Sequence, residues 1–498
     1  MRKRQTLINA IMSIIQVIII GSTLFILYRF LLTTIGVEQL GIWSLVLAAT
    51  SVTKIADFGL SASVVKFVAK YIARKETENV SEIIQTAAFS VAVFVGVLLI
   101  IGYPIVKGIL RVVLPYESFP IALSVLPYAF LALWSMVVTS VFQSGLDGCQ
   151  RIDLRSFLLM GGAIIHLVLC FVFAPAYGLI GVAYARIIQN IIILLSSWFL
   201  LRRCLPLLPI FPYKWNINLF KEIVSYGINF QIISVVAMFY DPITKALLSK
   251  FGGPSLVGYY EMASRMILQL RALIVSANQV LVPVIADLKE EAPEKIHLVY
   301  LTSYRLLLYF AIPLYSLIIV CIPAISQIWI GHYERTFIVF GILLTIGWFF
   351  NTLAAPSFFI NLGVGELRWN VVSHIIIALF NAGLGFLFGI YYDGFGVVIA
   401  WVFSLALGSS IVYLSYHINH NIPLIELIPK ESRIIIVTCL TGILSAILIR
   451  QKFNYNFNIF TLNTIIILLF LIIVIVPFWL HPKRKRLVNW VNEELLTK

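Results

Sequence analysis

Seven cations stand inside or at the rim of long apolar runs: Arg29, Lys54, Arg186, Lys245, Arg265, Arg271 and Arg305. Three carboxylates share those runs: Asp57, Asp241 and Glu261. An isolated Lys or Arg at mid-membrane costs about 2.5–3.5 kcal/mol on insertion scales, so such a group faces a bundle interior, a partner or water. Three pairs have helical spacing. Asp241 and Lys245, like Glu261 and Arg265, are four apart, and Lys54 and Asp57 are three apart, so each pair shares a helical face. If all three form, Arg29, Arg186, Arg271 and Arg305 are left over. A cavity with surplus positive charge favours an anionic passenger, and arginine grips phosphate with a two-pronged fork. The seven cations are therefore the candidate substrate-binding set, and the three carboxylates their candidate counter-charges. Arg265 and Arg271 lie about 120° apart around a helix, so they border a wide cleft unless one snorkels. Snorkelling is the competing reading for Arg29 as well, near the end of its span.

The chain that must position these groups has 498 residues, of which 61% are hydrophobic and 12% charged. Its mean hydropathy is +0.99. Apolar runs of bilayer-spanning length recur from end to end, which makes this an all-α polytopic membrane protein with no soluble domain. The periodicity predicts fourteen helices, at 7–33, 39–72, 83–110, 121–146, 152–174, 178–203, 219–249, 256–287, 298–325, 336–362, 369–391, 395–417, 433–450 and 459–480. An even number puts both termini on one side. With the N-terminus inside, most of the 36 Lys and Arg residues fall at cytoplasmic ends, including Arg2 to Arg4, Lys66 to Lys75 and Lys483 to Arg486. The net charge of +14 thus follows membrane topology, and nucleic acid is not implied. The MRKR start reads as the flank of a retained first helix, because the apolar run after it is too long for a signal peptide. The tail from His481 reads as a basic cluster plus a short amphipathic stretch on the anionic inner leaflet. Five scattered cysteines show no C-x-x-C spacing, so neither disulfides nor a structural metal is expected. No P-loop, H-E-x-x-H or G-x-S-x-G occurs, and every connection is too short to carry a catalytic domain.

Twelve of the fourteen helices read as two copies of six. LLTTIGVEQLGIW (31–43) matches LLSKFGGPSLVGYY (247–260), with Gly36 opposite Gly252 and Gly41 opposite Gly258. YGLIGVAYA (177–185) matches DGFGVVIAW (393–401), with Gly181 opposite Gly396, and Arg151 stands opposite Arg368. Six helices per copy make the repeat parallel, related by an axis along the membrane normal. The predicted organisation is an N-lobe over 1–205, a C-lobe over 206–420, a helix pair over 421–482 and a basic tail over 483–498. The two pseudo-symmetric lobes enclose a central cleft. On the same offset Arg29 corresponds to Lys245 and Lys54 to Arg271, as expected of groups lining a common cavity. Thr6, Asn9, Ser13, Gln16 and Thr23 form a polar stripe on the first helix, either a wetted wall or a set of interhelical hydrogen bonds. Asn351, Thr352 and Asn361 surround Pro356, which marks a bend or a passive kink. Gly385 and Gly389 suit close helix packing.

YRFLLTTIGVEQLGIWSLVLA, DFGLSASVVKFVAKYIAR and VGYYEMASRMI followed by VPVIADL resemble the polysaccharide flippases of the multidrug/oligosaccharidyl-lipid/polysaccharide (MOP) exporter superfamily. The similarity is to O-antigen and capsule repeat-unit translocases of the Wzx type, over roughly residues 5–420. The resemblance implies two six-helix lobes, alternating access and a polyprenyl-diphosphate-linked oligosaccharide as cargo, with membrane lipids as further partners. It also implies work alongside a polysaccharide polymerase and chain-length proteins in the cytoplasmic membrane. Lipid II flippases share the fourteen-helix plan and use the last two helices as a lipid-tail groove, which extends the expectation to 433–480. No cofactor is expected beyond coupling to a sodium or proton gradient. The competing functions are a lipid II flippase and a multidrug exporter of the MATE type. The latter moves cations and needs buried carboxylates, whereas here bases outnumber acids. A membrane glycosyltransferase or polymerase is disfavoured by the short loops and the repeat.

Overall fold

The computed structural model describes residues 2–51, 60–279, 281–453, 459–482 and 484. Among them every regular element is helical, as hydrocarbon requires of a backbone that must satisfy its own polar groups. In chain order these are α1 (Arg2–Thr34), α2 (Gly36–Ser51), α3 (Leu60–Ala73), α4 (Thr77–Val113), α5 (Phe119–Gly148) and α6 (Ile152–Cys204). Next come α7 (Ile217–Met238), α8 (Tyr240–Asn278), α9 (Leu281–Glu291), α10 (Lys295–Trp329), α11 (Arg335–Leu353) and α12 (Ala355–Val364). The chain closes with α13 (Arg368–Asn419), α14 (Lys430–Phe453) and α15 (Ile459–Leu480).

The longest helices are hairpins. At 53 residues, α6 would run about 80 Å if straight, far more than a bilayer core. It reverses at Gly178 (φ 56°, ψ −134°). In α13 the reversal falls at Tyr392 and Asp393, the latter at φ 52°, ψ −150°. Gly253 (φ 80°) followed by Pro254 divides α8. Its first part continues α7 and its second part runs on toward α9. With α11 and α12 taken as one crossing, the described helices fit the expected plan of about fourteen. The helices outrun their apolar cores; α4, for example, starts at Thr77, because polar ends stay helical beyond the hydrocarbon.

The repeat is written into the backbone. Gly36 (φ 81°) and Gly253 (φ 80°) open equivalent crossings in the left-handed region. The glycine equivalent to Gly36 is therefore Gly253 rather than Gly252, which corrects the alignment by one residue. Gly178 and Asp393 share their reversal geometry. A Cβ on Gly181 would strike the carbonyl of Phe173, and one on Gly396 that of Phe388. These are the same contact in both copies.

The chain forms two compact units. One comprises Met1–Met262 with Ala382–Val397, and the other Ala263–Asn381 with Val398–Lys498. In the first, a Cβ on Gly41 would strike the Pro254 carbonyl and one on Gly258 the Val37 carbonyl. The paired glycines of the repeat thus let two backbones touch. Gly385 and Gly389 face Leu247 and Phe251, a packing role. In the second unit the C-terminal hairpin seats on α10. Phe470 fills the space beside Gly442. The Tyr309 ring stacks on Phe478 at 4.3 Å, and its hydroxyl donates to the Phe478 carbonyl at 2.9 Å.

Candidate functional site

Lys245 is buried, with 2% of its surface exposed. Its Nζ donates to Asp241 Oδ2 at 2.6 Å and to Glu261 Oε2 at 2.7 Å. The Tyr28 hydroxyl from α1 donates to the other oxygen of Glu261 at 2.8 Å. Asp241 reaches Lys245 because they sit one helical turn apart. Glu261 arrives from beyond the Gly253 break, which the i,i+4 reading could not see. That reading assigned Glu261 to Arg265, whereas Lys245 and Tyr28 hold both of its oxygens. One ammonium between two carboxylates carries no surplus positive charge. Such a knot holds structure: removing one member of a buried ion pair costs far more than the pair contributes. Arg29, one position from Tyr28, is exposed. The repeat equivalence of Arg29 and Lys245 therefore does not extend to a shared environment.

Arg271 is the opposite case. Its Nη2 donates to Asn351 Oδ1 at 2.6 Å, and its guanidinium lies 4.8 Å from the centre of the Trp348 ring. Asn351 is itself oriented by donation to Ser409 Oγ at 2.9 Å. Trp348 and Asn351 project together from α11 because they are three residues apart. Their helix is steadied by the 2.6 Å hydrogen bond between Tyr315 and Thr352 hydroxyls. The neighbouring titratable groups are Tyr315 and His374; among the described residues no carboxylate pairs with Arg271. Its Nε is buried with no hydrogen-bond partner. A planar guanidinium on an aromatic face keeps its charge in an apolar setting, and an orphaned N–H on a charged group is an open place for an acceptor.

An apolar groove begins within a turn of Arg271. It has a volume of about 550 Å³ and is lined by Leu273 and Ile274 of α8, Phe310 and Leu314 of α10, and Phe470 and Phe478 of α15, among others. Phe470, Val474 and Phe478 recur every four residues on α15 and present one face. Of the two C-terminal helices only α15 lines this groove.

The remaining candidates are dispersed. Arg305 is not a surplus cation: Nη2 donates to Glu426 at 2.7 Å and Nη1 lies 3.9 Å from Glu431. Glu426 lies in the approach to α14 and Glu431 in its first turn, so Arg305 pins the start of that helix. Arg265 is exposed. Arg186 lines a polar cavity inside the first unit, with its Nη1 donating to Gln189 at 3.3 Å. Lys54 and Asp57 lie outside the described residues. On the polar stripe, Asn9 bonds the Gln150 carbonyl and the Asp153 amide, an interhelical role, while Thr23 faces the Arg186 cavity. Asn361 donates to Asn370. Sequence reasoning missed Trp348, Ser409 and Tyr28. Trp348 carried a usable signal, since WFFN places an aromatic and an amide on one helical face.

Residues 6–289, more than half of the chain, match the family described as "Polysaccharide biosynthesis protein". A protein of Shigella flexneri named "Putative O-antigen transporter" is 23% identical over 404 residues, covering 78% of this chain and 92% of its own length. Among solved structures, lipid II flippase MurJ in an inward closed conformation superposes with a TM-score of 0.72 at 14% identity, over 98% of this chain and 100% of its own. An inward-facing multidrug resistance MATE family transporter of the MOP superfamily gives 0.68 at 16% identity, over 80% and 94%. At these identities the likeness is one of fold. The chain has the transporter fold of that superfamily, and its matches are transporters rather than enzymes.

Proposed function

This chain belongs to the polysaccharide biosynthesis protein family, and from that premise we propose that it flips a polyprenyl-diphosphate-linked oligosaccharide across the cytoplasmic membrane for surface polysaccharide assembly. The observation that carries the reading is the juxtaposition in the second unit. An uncompensated, partly orphaned guanidinium, Arg271, sits within a helical turn of an apolar groove. That pattern suits an amphiphile with an anionic head and a long hydrocarbon tail. The diphosphate accepts from Arg271 while the isoprenoid chain stays in the groove beside α15. A cationic drug finds no carboxylate at Arg271, which disfavours the multidrug reading. Lipid II carries the same head and tail chemistry, and the fold likeness to a lipid II flippase keeps it as the second reading.

On this account both termini are cytoplasmic, the two six-helix repeats alternate access, and a sodium or proton gradient supplies the coupling. The flipped unit passes to a polymerase with its chain-length partners on the far side. The deciding experiment reconstitutes the full chain in vesicles. It compares flipping of a fluorescent polyprenyl-diphosphate disaccharide, a lipid II analogue and a zwitterionic phospholipid. The account expects the disaccharide lipid to flip fastest and the phospholipid not at all. Faster movement of lipid II would favour the second reading, and indiscriminate movement of all three would refute both.

A further inference from the structure

Two polar hydrogens in the second unit stand without acceptors on side chains that touch. Arg271 Nε carries one and the indole Nε1 of Trp348 carries the other; both atoms are buried, and among the described residues neither has a hydrogen-bond partner. The guanidinium lies 4.8 Å from the centre of the Trp348 ring. Polar neighbours are engaged elsewhere. Asn351 accepts from Arg271 Nη2 and donates to Ser409 Oγ. The Thr352 hydroxyl donates to the Trp348 carbonyl at 2.7 Å and bonds the Tyr315 hydroxyl. The indole is also held in place. The Trp401 ring of α13 stands edge-on to it, with centres 6.3 Å apart at 70°. At Gly347, just before it, an added Cβ would meet Val402 of α13 at 3.3 Å, so α11 and α13 lie close together there.

An indole N–H donates and cannot accept. Buried donors without acceptors are rare in native proteins, and each calls for an explanation. Phenylalanine would also offer the guanidinium an aromatic face, without an N–H to satisfy. Tryptophan therefore brings a donor that the packing does not use.

We propose that Trp348 Nε1–H is a second hydrogen-bond donor to the anionic head of the lipid cargo, acting beside Arg271 Nε–H. The proposal rests on the flippase reading of Arg271. A diphosphate presents several acceptor oxygens, so donors on two touching side chains can engage one head, and hydrogen bonds to an ionised acceptor are the stronger kind. Trp348 adds this contact without adding a second charge to desolvate. Arrival of the head relieves two orphaned donors at once, a differential interaction that favours the loaded state.

The test replaces Trp348 with benzothienylalanine, in which sulfur takes the place of the indole N–H and the ring keeps its shape. Trp348→Phe and Arg271→Ala are made alongside, all in the full chain. The initial rate of flipping of a fluorescent polyprenyl-diphosphate disaccharide is measured at limiting lipid content, and the Tm of the cargo-free protein is measured in nanodiscs. The benzothienyl protein should flip about tenfold more slowly, at the lower end for a lost hydrogen bond to a charged group, with Tm unchanged or raised. Trp348→Phe should show at least the same loss. Flipping by the benzothienyl protein at the wild-type rate overturns the proposal. If Trp348→Phe alone is slow, the ring matters for packing and the donor does not. In that case slow flipping by Arg271→Ala leaves the flippase reading standing, whereas absence of flipping in wild type would refute that reading itself.

Discussion

At the residue scale the two cations that sequence numbering placed near one another in role have separate tasks. Lys245 is spent on Asp241 and Glu261, whereas Arg271 keeps an open N–H. Breaking a buried pair from one side leaves a charge without compensation and costs about 3–5 kcal/mol, while replacing both partners is far milder. Lys245→Met should therefore lower stability by about 3–5 kcal/mol, and adding Glu261→Gln should recover part of that loss. Thermal unfolding of the two single variants and the double variant in nanodiscs checks this, and strictly additive losses would show the knot to be unimportant. The Asp241–Lys245 pair was legible because i,i+4 spacing is local. Glu261 was misassigned because its partner depends on the turn at Gly253, which is not a spacing rule. Arg305 was misread for the same reason, since Glu426 and Glu431 reach it from more than a hundred positions away in the chain.

At the scale of elements, glycines decide where helices touch and where they reverse. The repeat was legible because Gly41 and Gly258, like Gly181 and Gly396, survive where a Cβ would meet backbone. The reversal near 393 was placed by the helix bounds, but not that Asp393 takes the left-handed conformation, because Gly394 beside it looks like the flexible residue. Aspartate tolerates the left-handed region through its short polar side chain, and the chain uses it. These contacts give a graded expectation. Gly41→Val and Gly258→Val should each destabilise the protein by about 1–3 kcal/mol, the usual penalty of overpacking. Gly161→Ala and Gly383→Ala, where an added Cβ meets open space, should be neutral or stabilising by about 0.5–1 kcal/mol in a helix interior. Urea or heat titration in detergent distinguishes the two classes. Equal effects in both would mean that the close approach at Gly41 is dispensable.

For the whole molecule, hydropathy and charge placement predicted an all-helical chain of fourteen crossings, because hydrocarbon leaves the backbone so few options. The same rule predicts that reporters fused to the N-terminus and the C-terminus both report the cytoplasm, since an even number of crossings returns the chain to its starting side. A reporter pair on opposite sides would break the topology. The binding region was less legible than the fold, because the six described cations of the set turned out to have unlike neighbours. Only burial and partners tell a structural lysine from an anion-seeking arginine.

The central claim is that Arg271 engages the anionic head of a polyprenyl-diphosphate lipid. It is tested by the initial rate of flipping of that lipid in vesicles holding wild type, Arg271→Lys or Arg271→Ala at equal protein content. A hydrogen bond to a charged group is worth about 1.5–3 kcal/mol, so Arg271→Ala should flip roughly 10- to 100-fold more slowly. Arg271→Lys should fall between the two, since it keeps the charge and loses the fork. Flipping by Arg271→Ala at the wild-type rate would contradict the account.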